Sequence, residues 1–258
     1  MKRILRIART EVLEHLRQPS MIVILAVNYI LWIFLFGIVF LILGSVTSSP
    51  SLMEVFEAQL KGFGVDLNAF IKVATSSFGS LMFTNLPLYV AIMSGTSVLH
   101  DRECGTMPFL MLAPLTRRKL LVGKLIGALV IPTLFHLVFV GTSSLLFGSI
   151  DGLAPFAYKF GGSPAWWIAF LVGAPASAAF VGALGTVISA LSRDIRTSMQ
   201  FTSFFIGLLS LGIGYVLVDG VAKGVSMQLT YAIVCLAASG LTLLFGAWLI
   251  SKDVSVSG

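Results

Sequence analysis

A short polar segment, residues 99–124, lies between two long apolar stretches and contains the residues whose types and spacing could do chemistry. Asp101, Arg102 and Glu103 form an acidic–basic–acidic triplet, and an apolar patch follows at residues 107–113. The charged triplet predicts a charged network with the N-terminal helix at the membrane edge, and an exposed apolar patch needs a partner or a bilayer to cover it. The chemistry that this segment predicts is therefore docking rather than catalysis.

The composition indicates that membrane helices position this segment. Of the 258 residues, 57% are hydrophobic and only 11% are charged, whereas an average soluble domain is about 25% charged. The apolar runs are continuous, which favours helices over the alternating pattern of a membrane barrel. The net charge of +6 is interpreted as Lys and Arg marking the cytoplasmic side of a membrane, and no nucleic-acid partner is predicted.

We predict an all-α membrane protein with six transmembrane helices in a single domain, residues 1–258, because a span needs about 20 apolar residues. The predicted spans are Met21–Ser45, Ser76–Leu99, Leu120–Gly148, Ala165–Leu191, Met199–Val218 and Met227–Ile250. With a cytoplasmic N-terminus, all but four of the 17 Lys and Arg residues fall inside; the four are Lys61, Lys72, Lys159 and Lys223. Both termini are therefore predicted to be cytoplasmic.

Two amphipathic segments are predicted outside the spans. In residues 1–18, apolar side chains fall on one side of a helical wheel and most charged ones on the other, which is typical of an interfacial helix; the apolar ones are Ile4, Leu5, Ala8, Val12 and Leu16. Residues 46–75 predict a second, shorter interfacial helix on the outer face, with Met53, Phe56, Leu60 and Phe63 at helical spacing.

The predicted spans contain no Asp, Glu or Arg, and Lys124 lies at a span edge. An ion-driven transporter normally needs a buried ionisable group, so this class is disfavoured. His136 is interpreted either as a haem ligand or substrate contact, or as a side chain bonded to a neighbouring helix close to Pro132. Other polar side chains in the spans either join helices or face a translocation path; with His136, the candidates for that path are Asn28, Asn85 and Gln200.

The sequence contains no motif for catalysis or metal binding. Gly123-Lys124 lacks the upstream glycine and the following Ser or Thr of a phosphate-binding loop. Cys104 and Cys235 are far apart and form no disulfide or metal framework. The small residues of the fourth predicted span, such as Gly182, predict close helix approach.

The polar segment resembles the cytoplasmic loop of type-2 ABC transporter permeases. The resemblance depends on the charged triplet, Gly105-Thr106, a Leu-rich turn, Pro114-x-x-Arg117 and Gly123-Lys124. It implies a coupling helix between spans two and three, within a loop at 100–119, and an N-terminal elbow helix at 1–18. The implied ATPase-coupling residues are Asp101, Arg102, Glu103, Gly105, Thr106, Phe109, Leu110, Pro114 and Arg117, and those of the elbow helix are Arg3, Arg6, Glu11 and Glu14.

The same resemblance implies a permease subunit, not an enzyme, that binds no cofactor or metal. Two copies of a separate ABC ATPase subunit would carry ATP and Mg, and a second or homologous permease copy would complete the assembly. Export across a prokaryotic plasma membrane is the expected direction. Two alternatives stay open from the residues: a haem-related component, such as the haem-exporter-type permease of cytochrome c maturation, and a membrane assembly subunit with no transport cycle.

Overall fold

A computed structural model describes residues 2–106, 116–148, 164–207 and 224–256. These parts of the chain are helical, with short connections and no strand. The helices are α1 (Lys2–Leu16), α2 (Pro19–Ser48), α3 (Pro50–Gly62), α4 (Leu67–Glu103), α5 (Arg117–Gly148), α6 (Pro164–Leu191), α7 (195–207) and α8 (Val225–Val256).

Within the described residues, five helices are long and apolar enough to cross a membrane. They contain Pro19–Ser48, Phe78–Glu103, Arg117–Leu146, Pro164–Leu191 and Val225–Ile250. These segments correspond to five of the six predicted spans and extend further into the polar segment than the sequence indicated. The remaining predicted span, Met199–Val218, overlaps α7 but continues into residues outside the described ranges, so a total of six stays a prediction.

The connection between α6 and α7 is shorter than predicted, because Asp194 caps α7. The Asp194 Oδ1 accepts a hydrogen bond from the Thr197 backbone N–H at 2.7 Å, and Oδ2 accepts one from the Thr197 hydroxyl at 2.8 Å. These bonds lower the pKa of Asp194 and satisfy donors that a helix start leaves open. α7 therefore begins at residue 195, ahead of the predicted Met199.

Helices α4 and α6 pack closely, and small residues make this contact possible. A Cβ added at Gly185 would lie 3.1 Å from the Ala91 carbonyl oxygen. The Ser189 hydroxyl oxygen accepts hydrogen bonds from the backbone N–H groups of Val98 and Leu99, both at 3.2 Å. The close approach predicted from the small residues of this span is thus present within one chain.

An apolar core with several aromatic side chains joins α2, α4 and α5 around Tyr29, Phe78 and Phe139. Phe56 and Leu60 of α3 pack against it, so the helix predicted in residues 46–75 is present. The outer side of α2 stays exposed, with Ile24, Ile30 and Phe34 all more than 60% accessible, as suits a lipid-facing helix.

α6 contains a π-helical turn, Ala169–Gly173, between its α-helical segments Pro164–Ile168 and Ala174–Leu191. A π-turn leaves backbone groups without their usual α-helical partners. His136, which is fully buried on α5, lies with its Nε2 3.2 Å from the Phe170 carbonyl oxygen in this turn. Of the two interpretations of His136, the structure favours the bond to a neighbouring helix.

Candidate functional site

A cluster of buried charges lies where α1, the end of α4 and the start of α5 meet; we call this region the charged end. Lys124 of α5 is 3% exposed, and its Nζ donates to the Glu11 carboxylate of α1. The same Nζ lies 2.8 Å from the Asp101 Oδ2 and donates to the Ser97 carbonyl at 3.2 Å, both on α4. One ammonium therefore joins three helices, and losing one partner of such a buried set is strongly destabilising.

The sequence predicted a charged network between the triplet and the N-terminal helix, but it did not indicate that Lys124 joins them. Lys124 was predicted at the edge of the third span. In the structure it is the eighth residue of α5 and is buried. The available signal was its place in an apolar run, where an ammonium requires a partner. Which carboxylates pair with it could not be predicted, because Glu11 is 113 residues away along the chain.

α1 has a second face that the helical wheel did not predict. The buried side chains are Ile7, Ala8, Glu11 and His15, and they pack against α5. Two glycines on α5 leave room for this face, since a Cβ at Gly123 would lie 2.7 Å from the Ile7 Cβ and one at Gly127 would lie 2.7 Å from the Glu11 Cγ. The side chains of Leu5, Leu13 and Leu16 remain exposed, as an interfacial helix requires.

Burial changes the acid–base behaviour of both ionisable groups on this face. Burial raises the pKa of Glu11 to about 7, although the nearby Lys124 ammonium acts to lower it. Burial also lowers the pKa of His15 to about 4, and the charges of Lys124 and His100 act in the same direction. His15 is therefore neutral at pH 7, and its Nε2, 3.7 Å from the Glu11 Oε1, does not form an ion pair there.

The turn that ends α4 is built by Asp101, Gly105 and Thr106. Gly105 has a φ of +68°, which glycine adopts without steric cost. The Thr106 backbone N–H donates to the Asp101 carbonyl at 2.9 Å, and its hydroxyl donates to the Asp101 Oδ1 at 3.2 Å. Asp101 thus connects the Lys124 cluster with the chain that leaves α4.

Two arginines of the polar segment bond to the ends of other helices. Arg102 donates to the carbonyl oxygens of Ala190 at 2.6 Å and Ser192 at 3.1 Å, at the end of α6. Arg117 donates to the Ile250 carbonyl of α8 at 2.7 Å. The Ala190 and Ser192 carbonyls lie at the C-terminal end of α6, where carbonyls lack intrahelical partners. The charged end therefore connects α4 with α6 and α5 with α8, in addition to the links made by Lys124.

The other predicted docking residues are distributed as follows. Glu103 is exposed at the end of α4, and Arg3 and Arg6 are exposed on α1, while Glu14 is partly buried. Phe109, Leu110 and Pro114, and with them the predicted coupling helix, lie outside the described residues.

The four residues proposed for a translocation path lie on four different helices. Asn85 of α4 donates to the Leu81 carbonyl of its own helix at 2.7 Å, and His136 contacts α6 as described above. Asn28 is partly buried on α2, and Gln200 is exposed on α7. A role for these residues in a path stays a prediction.

Residues 5–244 match the family model described as ABC-2 family transporter protein. No curated protein matches the chain. Over the described residues, no group of three or more His, Cys, Asp or Glu side chains is placed to hold a metal ion.

Proposed function

The chain belongs to the ABC-2 family of transporter membrane proteins, so it is a multi-pass permease component of an ABC transporter, and we propose that its charged end receives the force of a separate ATPase subunit. ATP and Mg bind to that partner, and this chain supplies the membrane helices. Two ATPase subunits and two permease subunits form the assembly, which is an exporter in a prokaryotic plasma membrane with both permease termini on the ATPase side.

The observation that carries this proposal is the buried Lys124 cluster. Asp101 is a member of the cluster and also forms the turn from which residues 107–115 continue. An ATPase that displaces those residues would act on Asp101 directly, and the Lys124 ammonium would pass the displacement to α1 and α5. A packed, hydrogen-bonded junction transmits such a displacement because it moves as a unit rather than deforming continuously.

The arginine contacts extend the same junction to two further described spans, α6 and α8. Arg102 connects the triplet to α6, and Arg117 connects the start of α5 to α8. A displacement at one point of the charged end therefore reaches α1, α4, α5, α6 and α8. This arrangement supports a coupling role better than that of a passive loop, whose arginines would extend into solvent.

The sidedness of the permease is supported by its charge distribution. The excess of Lys and Arg at the charged end favours a cytoplasmic location for this end, which is the side on which the ATPase would act. The haem-related alternative has no support, because the family is one of transporters and because the buried His136 is bonded to the Phe170 carbonyl.

Coupled ATPase activity of the reconstituted transporter tests the proposal. We would compare Asp101→Asn and Arg102→Gln with Arg118→Gln, since Arg118 is an exposed basic residue of the same segment. The first two variants should lose most of the permease-dependent stimulation of the ATPase, while Arg118→Gln should retain it. Unchanged stimulation in Asp101→Asn and Arg102→Gln, with normal complex formation, would show that the charged end is not the entry point for energy.

A further inference from the structure

A partly enclosed cavity of about 200 Å³ lies beside the Lys124 cluster, between α1, the start of α2, α4 and α7. Its polar lining includes Glu14, His15, Gln18 and His100, and Met21 and Ile195 contribute apolar walls. One water molecule needs only about 10–15 Å³ of such space. The cavity therefore has room for a small polar group larger than water.

His15 is an unpartnered polar group at this cavity. The residue is only 7% exposed, and its Nε2 makes no hydrogen bond. The Glu11 Oε1, at 3.7 Å, is beyond hydrogen-bonding distance. A buried polar atom without a partner costs free energy unless a ligand or water satisfies it. Because the imidazole is neutral at pH 7, one of its ring nitrogens is free to accept a hydrogen bond.

The charges around the cavity favour a cationic ligand over an anionic one. Glu11 and Glu14 both line it, and the described lining residues include no Lys or Arg. The nearby ammonium, that of Lys124, already contacts Glu11, Asp101 and the Ser97 carbonyl. Lys124 balances one carboxylate of the cluster and burial raises the pKa of the other, Glu11, to about 7, so the Glu14 carboxylate supplies most of the negative charge at the cavity. A ligand that donates hydrogen bonds and carries positive charge fits this lining, whereas a phosphate would meet carboxylates.

The position of the cavity indicates which cations reach it. It opens beside α1, whose Leu5, Leu13 and Leu16 side chains are exposed and suit the boundary between lipid headgroups and acyl chains. It also lies where α2 enters its apolar span at Pro19–Ser48. Groups at this depth include the headgroups of membrane lipids.

We propose that this cavity binds a primary ammonium group, held by Glu14 with His15 and Gln18 as further acceptors. The group is carried either by the headgroup of phosphatidylethanolamine or by a free amine. A primary ammonium has three N–H donors, so it can donate hydrogen bonds to a carboxylate, an imidazole nitrogen and an amide oxygen at the same time. A quaternary ammonium has none and would leave the His15 nitrogen unsatisfied. The proposal does not depend on the ATPase-coupling role of the charged end.

Native mass spectrometry of the full chain released from detergent micelles tests the proposal. Phosphatidylethanolamine, phosphatidylcholine and phosphatidylglycerol are added separately at equal concentration, and the fraction of protein with one bound lipid is measured. We expect retention of phosphatidylethanolamine to exceed that of the other two about tenfold, the scale of one charge-assisted hydrogen bond. Equal retention of phosphatidylethanolamine and either of the other two lipids, together with no binding of free ethanolamine, would overturn the proposal.

Two variants and a competitor assign the effect to the cavity. Glu14→Gln keeps the shape of a partly buried side chain and removes its charge, so it should abolish the preference for phosphatidylethanolamine. The control Glu54→Gln makes the same change at an exposed site on α3 and should retain that preference. An unchanged preference in Glu14→Gln, with a normal melting curve, would overturn the proposal. Competition by free ethanolamine would support a free amine as the source, and its absence, with the preference intact, would support the lipid.

Discussion

The docking of α1 onto α5 depends on the absence of a side chain at Gly127. A Cβ added there would lie 2.7 Å from the Glu11 Cγ and 3.1 Å from the Ala8 carbonyl oxygen. Carbon atoms in contact prefer separations of about 3.5–4.0 Å, so α1 must move by about 1 Å or Glu11 must leave its position. Either response separates the Glu11 carboxylate from the Lys124 ammonium. We therefore predict that Gly127→Ala loosens α1 without changing any charged group.

The expected magnitude follows from a comparison with Gly141, a second glycine of α5. A Cβ at Gly141 would meet nothing within 4 Å. Replacing glycine by alanine improves helix propensity by about 1 kcal/mol at either position, so this gain cancels between the two variants. The overpacking cost at Gly127 does not cancel and amounts to about 1–3 kcal/mol. The docked state of α1 should thus be less stable in Gly127→Ala than in Gly141→Ala by that amount.

Hydrogen exchange of the backbone amides in α1 measures this difference directly, because local opening of a helix sets the exchange rate. A difference of 1–3 kcal/mol corresponds to about 5- to 150-fold faster exchange in Gly127→Ala. The permease-dependent stimulation of the partner ATPase should fall in the same variant and remain in Gly141→Ala. Equal exchange rates in the two variants would refute the argument that Gly127 positions α1.

Three further predictions concern the buried polar groups. Lys124→Met leaves two buried carboxylates unpaired and should lower stability by about 3–5 kcal/mol, measured as a loss of apparent Tm. The control Lys119→Met, at an exposed site, should change stability by less than about 0.5 kcal/mol. Equal losses in the two variants would contradict the burial of the cluster. The raised pKa of Glu11 makes stability fall as pH rises from 4.5 to 7, and the lowered pKa of His15 makes stability rise as pH rises from 4 to 6.5. The two effects oppose each other in the wild type. In Glu11→Gln only the His15 effect remains, so the stability of the folded state should rise by about 3 kcal/mol between pH 4 and 6.5. A flat pH profile of Tm in that variant would show that His15 is not buried as a neutral group. His136→Ala should lower stability by about 1–3 kcal/mol, because it leaves the Phe170 carbonyl unsatisfied. The purified wild type should show no haem absorption band. A band that is present in the wild type and lost in the variant would restore the haem interpretation.

The membrane class and most of the helices follow from local properties of the chain. Apolar runs of sufficient length predict spans whatever their neighbours are, which is why five predicted segments correspond to helices in the structure. The turn at Gly105-Thr106 was predictable for the same reason, since a positive φ is a local demand that glycine meets. The small residues of α6 likewise predicted a close helix contact, although not its partner, α4.

The sequence by itself determined that this is a helical membrane protein with a polar segment between two of its spans, and the tertiary structure decided how that segment is connected to the spans. Amphipathic periodicity predicts that α1 is an interfacial helix, but it does not show that Glu11 is buried against α5, where Gly123 and Gly127 leave room for α1. The free energy of a buried charge depends on which partners the packing supplies, and no local pattern encodes a pair separated by 113 residues. The Lys124 cluster and the cavity beside it were therefore visible only once the helices were assembled.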